Sequence, residues 1–198
     1  EDILEISDLL VPEGNPLIGC VTRLAHQKGV DLLASIMDEL VSNGAAVVLL
    51  GIGDSKYNDL FMDLAKKYTG RFKFFMEFNE EIAHKVEAGS DIFVMPSRYE
   101  PCGLNQMYSI KYGTIPVVRA TGGLDDVIID FDEDRINGNG FKFRNADKDE
   151  FLNAVNRALK AFDDEDIWYR LMTNAMKYDF SWENSAKEYV ALYEKVLS

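Results

Sequence analysis

The chain has 198 residues and a formal net charge of −13. The length fits one well-buried domain. The charge argues against a nucleic-acid or anionic-membrane partner, yet allows a small anionic ligand held by a few local cations. The longest apolar run, Ala45 to Leu50, is far below the roughly 20 residues of a membrane-spanning helix, and no targeting pattern follows Glu1.

Residues 1–14 show no period and read as a linker into a domain over 15–198. Leu17 to Val21 is a short apolar strand, followed by the polar loop Thr22 to Gly29. A helix is expected from about Val30 to Asn43, with Leu33, Ile36, Met37, Leu40 and Val41 on one face and Gly44 as its stop. Ala45 to Leu50 is a second strand and Gly51-Ile52-Gly53-Asp54 a turn. Ser55 is the expected cap of a helix bearing Leu60, Phe61, Leu64 and Ala65. Phe72 to Met76 is a third strand, and Asn79 caps a short helix ending near Ala88. Ile92 to Met95 is an apolar fourth strand of the kind buried in parallel sheets. A charged loop and a helix over Leu104 to Tyr112 follow it, then a fifth strand, Ile115 to Val118. The acidic, Gly/Asn-rich stretch Asp130 to Gly140 reads as a loop, with Asp132, Glu133 and Asp134 in a solvated turn. Phe141 and Phe143 mark a sixth strand. Three helices close the chain, over about 148–161, 166–176 and 182–197. Strands alternating with helices imply an α/β, Rossmann-like, doubly wound parallel sheet of about six strands with extra C-terminal helices. The last helix, about 182–197, is more than such a unit needs and is read as packing on another domain.

Chemistry is expected where loops leave the carboxyl ends of strands and enter helices, because ligands of open α/β sheets bind there and free helix N–H groups attract phosphate. Two such loops follow the fourth and fifth strands, one with Ser97, Arg98 and Glu100, the other with Thr121-Gly122-Gly123. Cys102, Gly103 and Leu104 offer backbone N–H groups at a helix start. Cys102 reads as a packing residue rather than a nucleophile, since no base is evident nearby. Arg23 and Lys28 leave the first strand as a phosphate-binding pair or as two solvated cations. Glu100 is the one carboxylate of its loop, either a solvated charge, a helix-cap partner or a group facing a sugar. Phe78, just before the Asn79 cap, is a candidate hydrophobic staple on that helix. Gly51-Ile52-Gly53 fails as a dinucleotide fingerprint, because Lys56 fills the third glycine position and the motif follows the second strand. His26 and His84 are isolated, and Cys20 and Cys102 suggest neither disulfide nor metal site. No metal is expected.

The run Ser97-Arg-Tyr-Glu-Pro-Cys-Gly-Leu104, then Lys111-Tyr-Gly-Thr-Ile-Pro-Val-Val118, then Thr121-Gly-Gly-Leu124, resembles the nucleotide-sugar half of bacterial glycogen synthases and plant starch synthases. Arg23-Leu-Ala-His-Gln-Lys28-Gly29 is similar to that family's phosphate-binding loop, and Phe180-Ser181-Trp182 to its closing motif. The resemblance covers Leu17 to Leu197 and implies the C-terminal domain of a GT-B glycosyltransferase that transfers glucose from ADP-glucose to the non-reducing end of an α-1,4-glucan, with retention and without a cofactor. It implies that Arg23 and Lys28 grip the diphosphate and that Glu100 contacts the transferred glucose. Nucleotide and sugar contacts are implied for Gly53, Phe78, Ser97, Cys102, Gly103, Leu104, Asn105, Tyr108, Thr121, Gly122 and Gly123. Asn105 stands where the family usually has Thr, Phe78 where it usually has Tyr, and Ala120 where it commonly has Arg. Tyr108 holds the position where the wider retaining group has a second Glu. The glucan acceptor is expected mainly on an N-terminal domain that this chain does not match, so the chain should bind ADP and ADP-glucose but be inactive alone. A cytoplasmic location is expected. Two alternatives stay open, a stand-alone nucleotide-binding module and a UDP-sugar-dependent transferase.

Overall fold

Six parallel strands lie in the order β3-β2-β1-β4-β5-β6. They are β1 (Leu17–Val21), β2 (Ala46–Leu50), β3 (Phe72–Phe75), β4 (Ile92–Met95), β5 (Ile115–Arg119) and β6 (Phe141–Phe143). The computed structural model describes residues 2–197; Glu1 and Ser198, the outer ends of the two predicted segments, lie outside the described residues. The order reverses between β1 and β4, the switch point at which doubly wound sheets open a crevice beyond their carboxyl ends. β1 and β4 pair through Ile18↔Ile92 and Gly19↔Phe93, so the strands part before their carboxyl ends.

Helices cover both faces, which is why the central strands read as unbroken apolar runs. β2 is buried along its whole length. On one side α2 (Val30–Ser35) packs on α4 (Ser55–Lys67) and α8 (Lys148–Phe162), and α3 (Met37–Ser42) packs on β2. On the other, α5 (Glu80–Gly89) packs on β1, on α1 (Asp2–Ser7) and on α6 (Asn105–Tyr112), which in turn meets α9 (Glu165–Met176). The short α7 (Gly123–Val127) follows β5, and α10 (Trp182–Leu197) closes the chain.

Local departures from the expected elements have physical causes. The predicted helix over 30–43 is two helices, broken at Ile36 (φ −108°, ψ 6°). There the Ser35 hydroxyl donates to Leu32 O at 2.7 Å, a local bond that competes with the helical ladder, and Ile36 turns wholly into the core. The predicted linker contains α1, too short to show a period, whose Ile3 is buried against Gly89. Ser55 is the first residue of α4 rather than its cap; Asp54 holds the cap position without a side-chain bond. Asn79 does cap α5, its Oδ1 accepting from Ile82 N at 3.1 Å. The 130–140 loop is only partly solvated. Asp130 is buried and accepts from Lys142 N at 2.6 Å and from Arg157 Nη1 at 3.0 Å, and Phe131 is fully buried.

Candidate functional site

A cleft of about 690 Å³ opens beyond the carboxyl ends of β1, β2 and β4. Its volume is that of a pocket for a small molecule or cofactor. One wall carries Arg23 and Lys28 from the β1–α2 loop. Facing it are Ser97 and Glu100 from the β4–α6 loop, then Gly103, Leu104, Asn105 and Tyr108 at the start of α6. The far wall carries Phe78, Asn79, Glu80, His84 and Glu87. The sheet order makes β1 and β4 neighbours, and this brings together loops more than seventy residues apart in sequence.

Lys28 and Glu100 meet in the cleft. Lys28 Nζ lies 2.5 Å from Glu100 Oε2, which also accepts from Ser97 Oγ at 3.2 Å. Glu100 is buried, so its charge needs these partners. The sequence reading of Glu100 as a solvated charge or cap partner is therefore ruled out. Gly29 permits the approach of the two loops. It adopts φ +65°, and a Cβ there would stand 1.9 Å from Pro96 O. Arg98 N donates to Gln27 O at 2.7 Å, and the Arg98 guanidinium forks onto Asp31 at 2.6 and 2.8 Å. Burial pushes the Asp31 carboxyl up, but the Arg98 hydrogen bonds and charge outweigh it and hold it below the usual carboxylate range.

Arg23 lines the cleft and is exposed; among the described residues its guanidinium pairs with no carboxylate or carbonyl. The Gly103 and Leu104 amides likewise donate to nothing among the described residues, and they open α6 at a position suited to an anion. Asn105 fixes that helix end, donating from Nδ2 to Val21 O at 2.9 Å. Gln106, wholly buried, pins the preceding turn through Cys102 O and Gly103 O at 3.1 and 2.9 Å. Phe78 is 95 % exposed, so it is not a staple on α5; its ring is a free face at the mouth of the cleft.

Five of the anticipated contact residues stand outside the cleft lining: Gly53, Cys102, Thr121, Gly122 and Gly123. Gly53 closes on the extension of β1, exchanging bonds with Asn58 at 3.2 and 3.1 Å. The Gly123 amide, read as anion-ready, instead donates to Glu100 O at 3.1 Å. Cβ atoms at Gly122 and Gly123 would stand 2.2 and 2.1 Å from Glu100 O and Cys102 O. Thr121-Gly122-Gly123 thus backs the Glu100 loop. Cys102 is an exposed free thiol, and Cys20 is a buried one whose thiol burial pushes up to about 12.

Sequence reasoning missed the pair on α5. His84 Nδ1 lies 3.1 Å from Glu87 Oε2, and the imidazole stands edge-on to Tyr108 at 5.5 Å. Burial pushes the Glu87 carboxyl up, with His84 opposing. Their three-residue spacing on a helix was the available signal. Among the described residues no group of three or more His, Cys, Asp or Glu is placed to hold a metal, and no helix is long and apolar enough to cross a membrane.

Comparison with known proteins agrees with this architecture. The chain is 51 % identical over 180 residues to a glycogen synthase of Koribacter versatilis, covering 91 % of this chain and 37 % of that protein. It is 46 % identical over 194 residues to a glycogen synthase of Thermosipho melanesiensis, covering 96 % and 40 %. The chain therefore spans about two fifths of the relatives it matches. Among solved structures, the catalytic domain of starch synthase IV from Arabidopsis thaliana, bound to ADP and acarbose, aligns with a TM-score of 0.89 and 36 % identity, over 98 % of this chain and 41 % of that one. Sucrose-phosphate synthase from Thermosynechococcus elongatus, 24 % identical with a TM-score of 0.72, shares the fold. The six-stranded sheet with its flanking helices is the Rossmann-like unit of a GT-B glycosyltransferase. Residues 3–170 match the family described as "Glycosyl transferases group 1", and the chain belongs to that family.

Proposed function

We propose that this chain is the donor-binding part of a glycogen or starch synthase, a retaining hexosyltransferase that moves glucose from ADP-glucose to the non-reducing end of an α-1,4-glucan. One observation carries the reading: an ion pair inside the cleft joins Lys28, on the β1–α2 loop, to the buried Glu100, before α6. A diphosphate reaching Arg23, Lys28 and the Gly103 and Leu104 amides sets its attached sugar beside Glu100. As the bond from the anomeric carbon to the diphosphate breaks, its electron pair passes to the phosphate, where the two cations stabilise it. The carboxylate of Glu100 stabilises positive charge growing on the sugar. The acceptor hydroxyl oxygen forms the new bond to the anomeric carbon, and its proton passes to the departing diphosphate oxygen. The exposed ring of Phe78 offers a stacking face for the adenine, as its place in the cleft mouth allows.

The acceptor surface belongs, in this reading, to a preceding domain. None of the residues of α10 is buried, and Trp182, Tyr189, Val190, Tyr193, Val196 and Leu197 form an exposed apolar stripe suited to packing on that domain. A location in the cytoplasm fits an ADP-glucose enzyme. The donor is tested by titrating the 198-residue chain with ADP and with UDP by calorimetry. Binding of ADP in preference to UDP is expected; UDP preference would make this a UDP-sugar transferase, and binding of neither at millimolar concentration would remove the site assignment.

A further inference from the structure

We propose that Arg119 is a positioning residue for the transfer reaction: its guanidinium holds the Ser97–Glu100 turn so that Glu100 meets Lys28. The inference rests on the role given to Glu100 above.

The β4–β5 ladder ends at the pair Met95↔Val118, and β4 then leaves the sheet through Pro96 into the turn. Arg119 is the next residue of β5, paired with Phe143 of β6. Its side chain takes over where the ladder stops. Nε donates to Ser97 O at 2.8 Å, Nη2 to Arg98 O, and Nη1 to Arg144 O at 3.0 Å. All three nitrogens are spent on main-chain carbonyls, and among the described residues Arg119 pairs with no carboxylate. It does not line the cleft.

The carbonyls that Arg119 holds belong to Ser97, whose hydroxyl bonds Glu100 Oε2, and to Arg98, whose guanidinium anchors the turn to Asp31 on the opposite side. The turn is thus fixed from both flanks, by Arg119 toward β5 and β6 and by Arg98 toward α2. A loop two residues from a strand end has no ladder of its own to set its carbonyls. The planar fork of one arginine fixes three points at once, where a lysine would fix one. Loosening this hold lets the Glu100 carboxylate drift from Lys28, and a shift of about 1 Å at a reacting group can cost roughly a hundredfold in rate.

The test uses the full-length protein that contains this chain. Lys28→Met, Glu100→Gln and their double variant are melted in the presence of Arg119 and again with Arg119→Ala. With Arg119 the pair should couple, the double variant departing from additivity by about 2 °C or more; with Arg119→Ala the effects should add within about 1 °C. Persisting coupling, or no coupling even with Arg119, overturns the proposal. Turnover gives the second readout. Arg119→Ala should lower kcat on the order of tenfold or more while the ADP dissociation constant moves less than about threefold, Arg119→Lys should restore little, and Arg119→Ala should cost nothing further once Glu100 is Gln. An equal loss in the Glu100→Gln background means that Arg119 acts by another route. If the melting coupling behaves as stated but the wild-type protein transfers no glucose from any nucleotide sugar, the positioning role stands and the proposed function falls.

Discussion

Replacing Gly123 by alanine tests the contact that backs the Glu100 loop. A Cβ at this position would lie 2.1, 2.7 and 2.8 Å from O, C and Cα of Cys102. All three are backbone atoms, well inside the roughly 3.5–4.0 Å of favourable carbon contact, so no side-chain rotation relieves the overlap. The chain must part by moving either the Thr121–Gly123 turn or the 100–102 loop, and the hydrogen bond from Gly123 N to Glu100 O is lost with it. Overpacking of this kind costs about 1–3 kcal/mol, and the lost bond adds about 1 kcal/mol. For a chain of this size that corresponds to a fall in Tm of roughly 4–16 °C. The assay is thermal unfolding by circular dichroism of the 198-residue chain, with Cys102→Ala combined as a control. Because the overlap is with backbone, the combined variant should melt no higher than Gly123→Ala alone. A melting point within about 1 °C of wild type would refute the close approach, and rescue by Cys102→Ala would show that the side chain, not the backbone, sets the fit.

Three further outcomes are expected. Lys28→Met should lower stability by about 3–5 kcal/mol, since it strands the buried Glu100 charge, and adding Glu100→Gln should recover most of it; chemical denaturation of both variants checks this. Arg23→Ala, which removes an exposed and unpaired cation, should leave the melting point unchanged and weaken ADP binding by about 1.5–3 kcal/mol, read by calorimetry. Asp31 has a folded-state pKa below its unfolded value, so its pair with Arg98 contributes stability that is fully present above about pH 4 and is lost as the pH falls through the depressed value. Asp31→Asn should accordingly cost on the order of 1 kcal/mol at neutral pH, a figure discounted for the partial exposure of the carboxylate, and should flatten the acid limb of a melting-point-against-pH curve below about pH 4.

Much of the sheet was legible because parallel strands buried on both faces are written as apolar runs, Val47 to Leu50 and Ile92 to Met95 being the plainest. Helix ends were less so. Asn79 announced itself as a cap, whereas the break at Ile36 depends on the Ser35 hydroxyl and on a core that draws Ile36 inward. The cleft residues Arg23, Lys28, Ser97 and Glu100 were found from loops at strand ends, but their mutual pairing depends on β1 and β4 being neighbours, which no local pattern states. The Thr121-Gly122-Gly123 stretch shows the converse. Its glycines look ready for an anion in sequence, yet they are small because the Glu100–Cys102 backbone lies against them. His84 and Glu87 went unread because each was weighed alone, while α5 sets them one turn apart on the cleft wall. Arg119 carried no signal at all, since its partners are main-chain carbonyls of two distant loops.

The central claim is that the cleft built around Lys28 and Glu100 transfers glucose, and incorporation of labelled glucose from ADP-glucose into glycogen tests it most directly. Incorporation is expected by the full-length protein, with a loss of turnover in Glu100→Gln far larger than any loss of ADP affinity. None is expected by the 198-residue chain alone, because the surface that holds the acceptor hydroxyl within roughly 3–3.5 Å of the sugar carbon is assigned, in the proposed function, to a preceding domain. Wild-type turnover in the Glu100→Gln protein, or substantial incorporation by residues 1–198 alone, would contradict it.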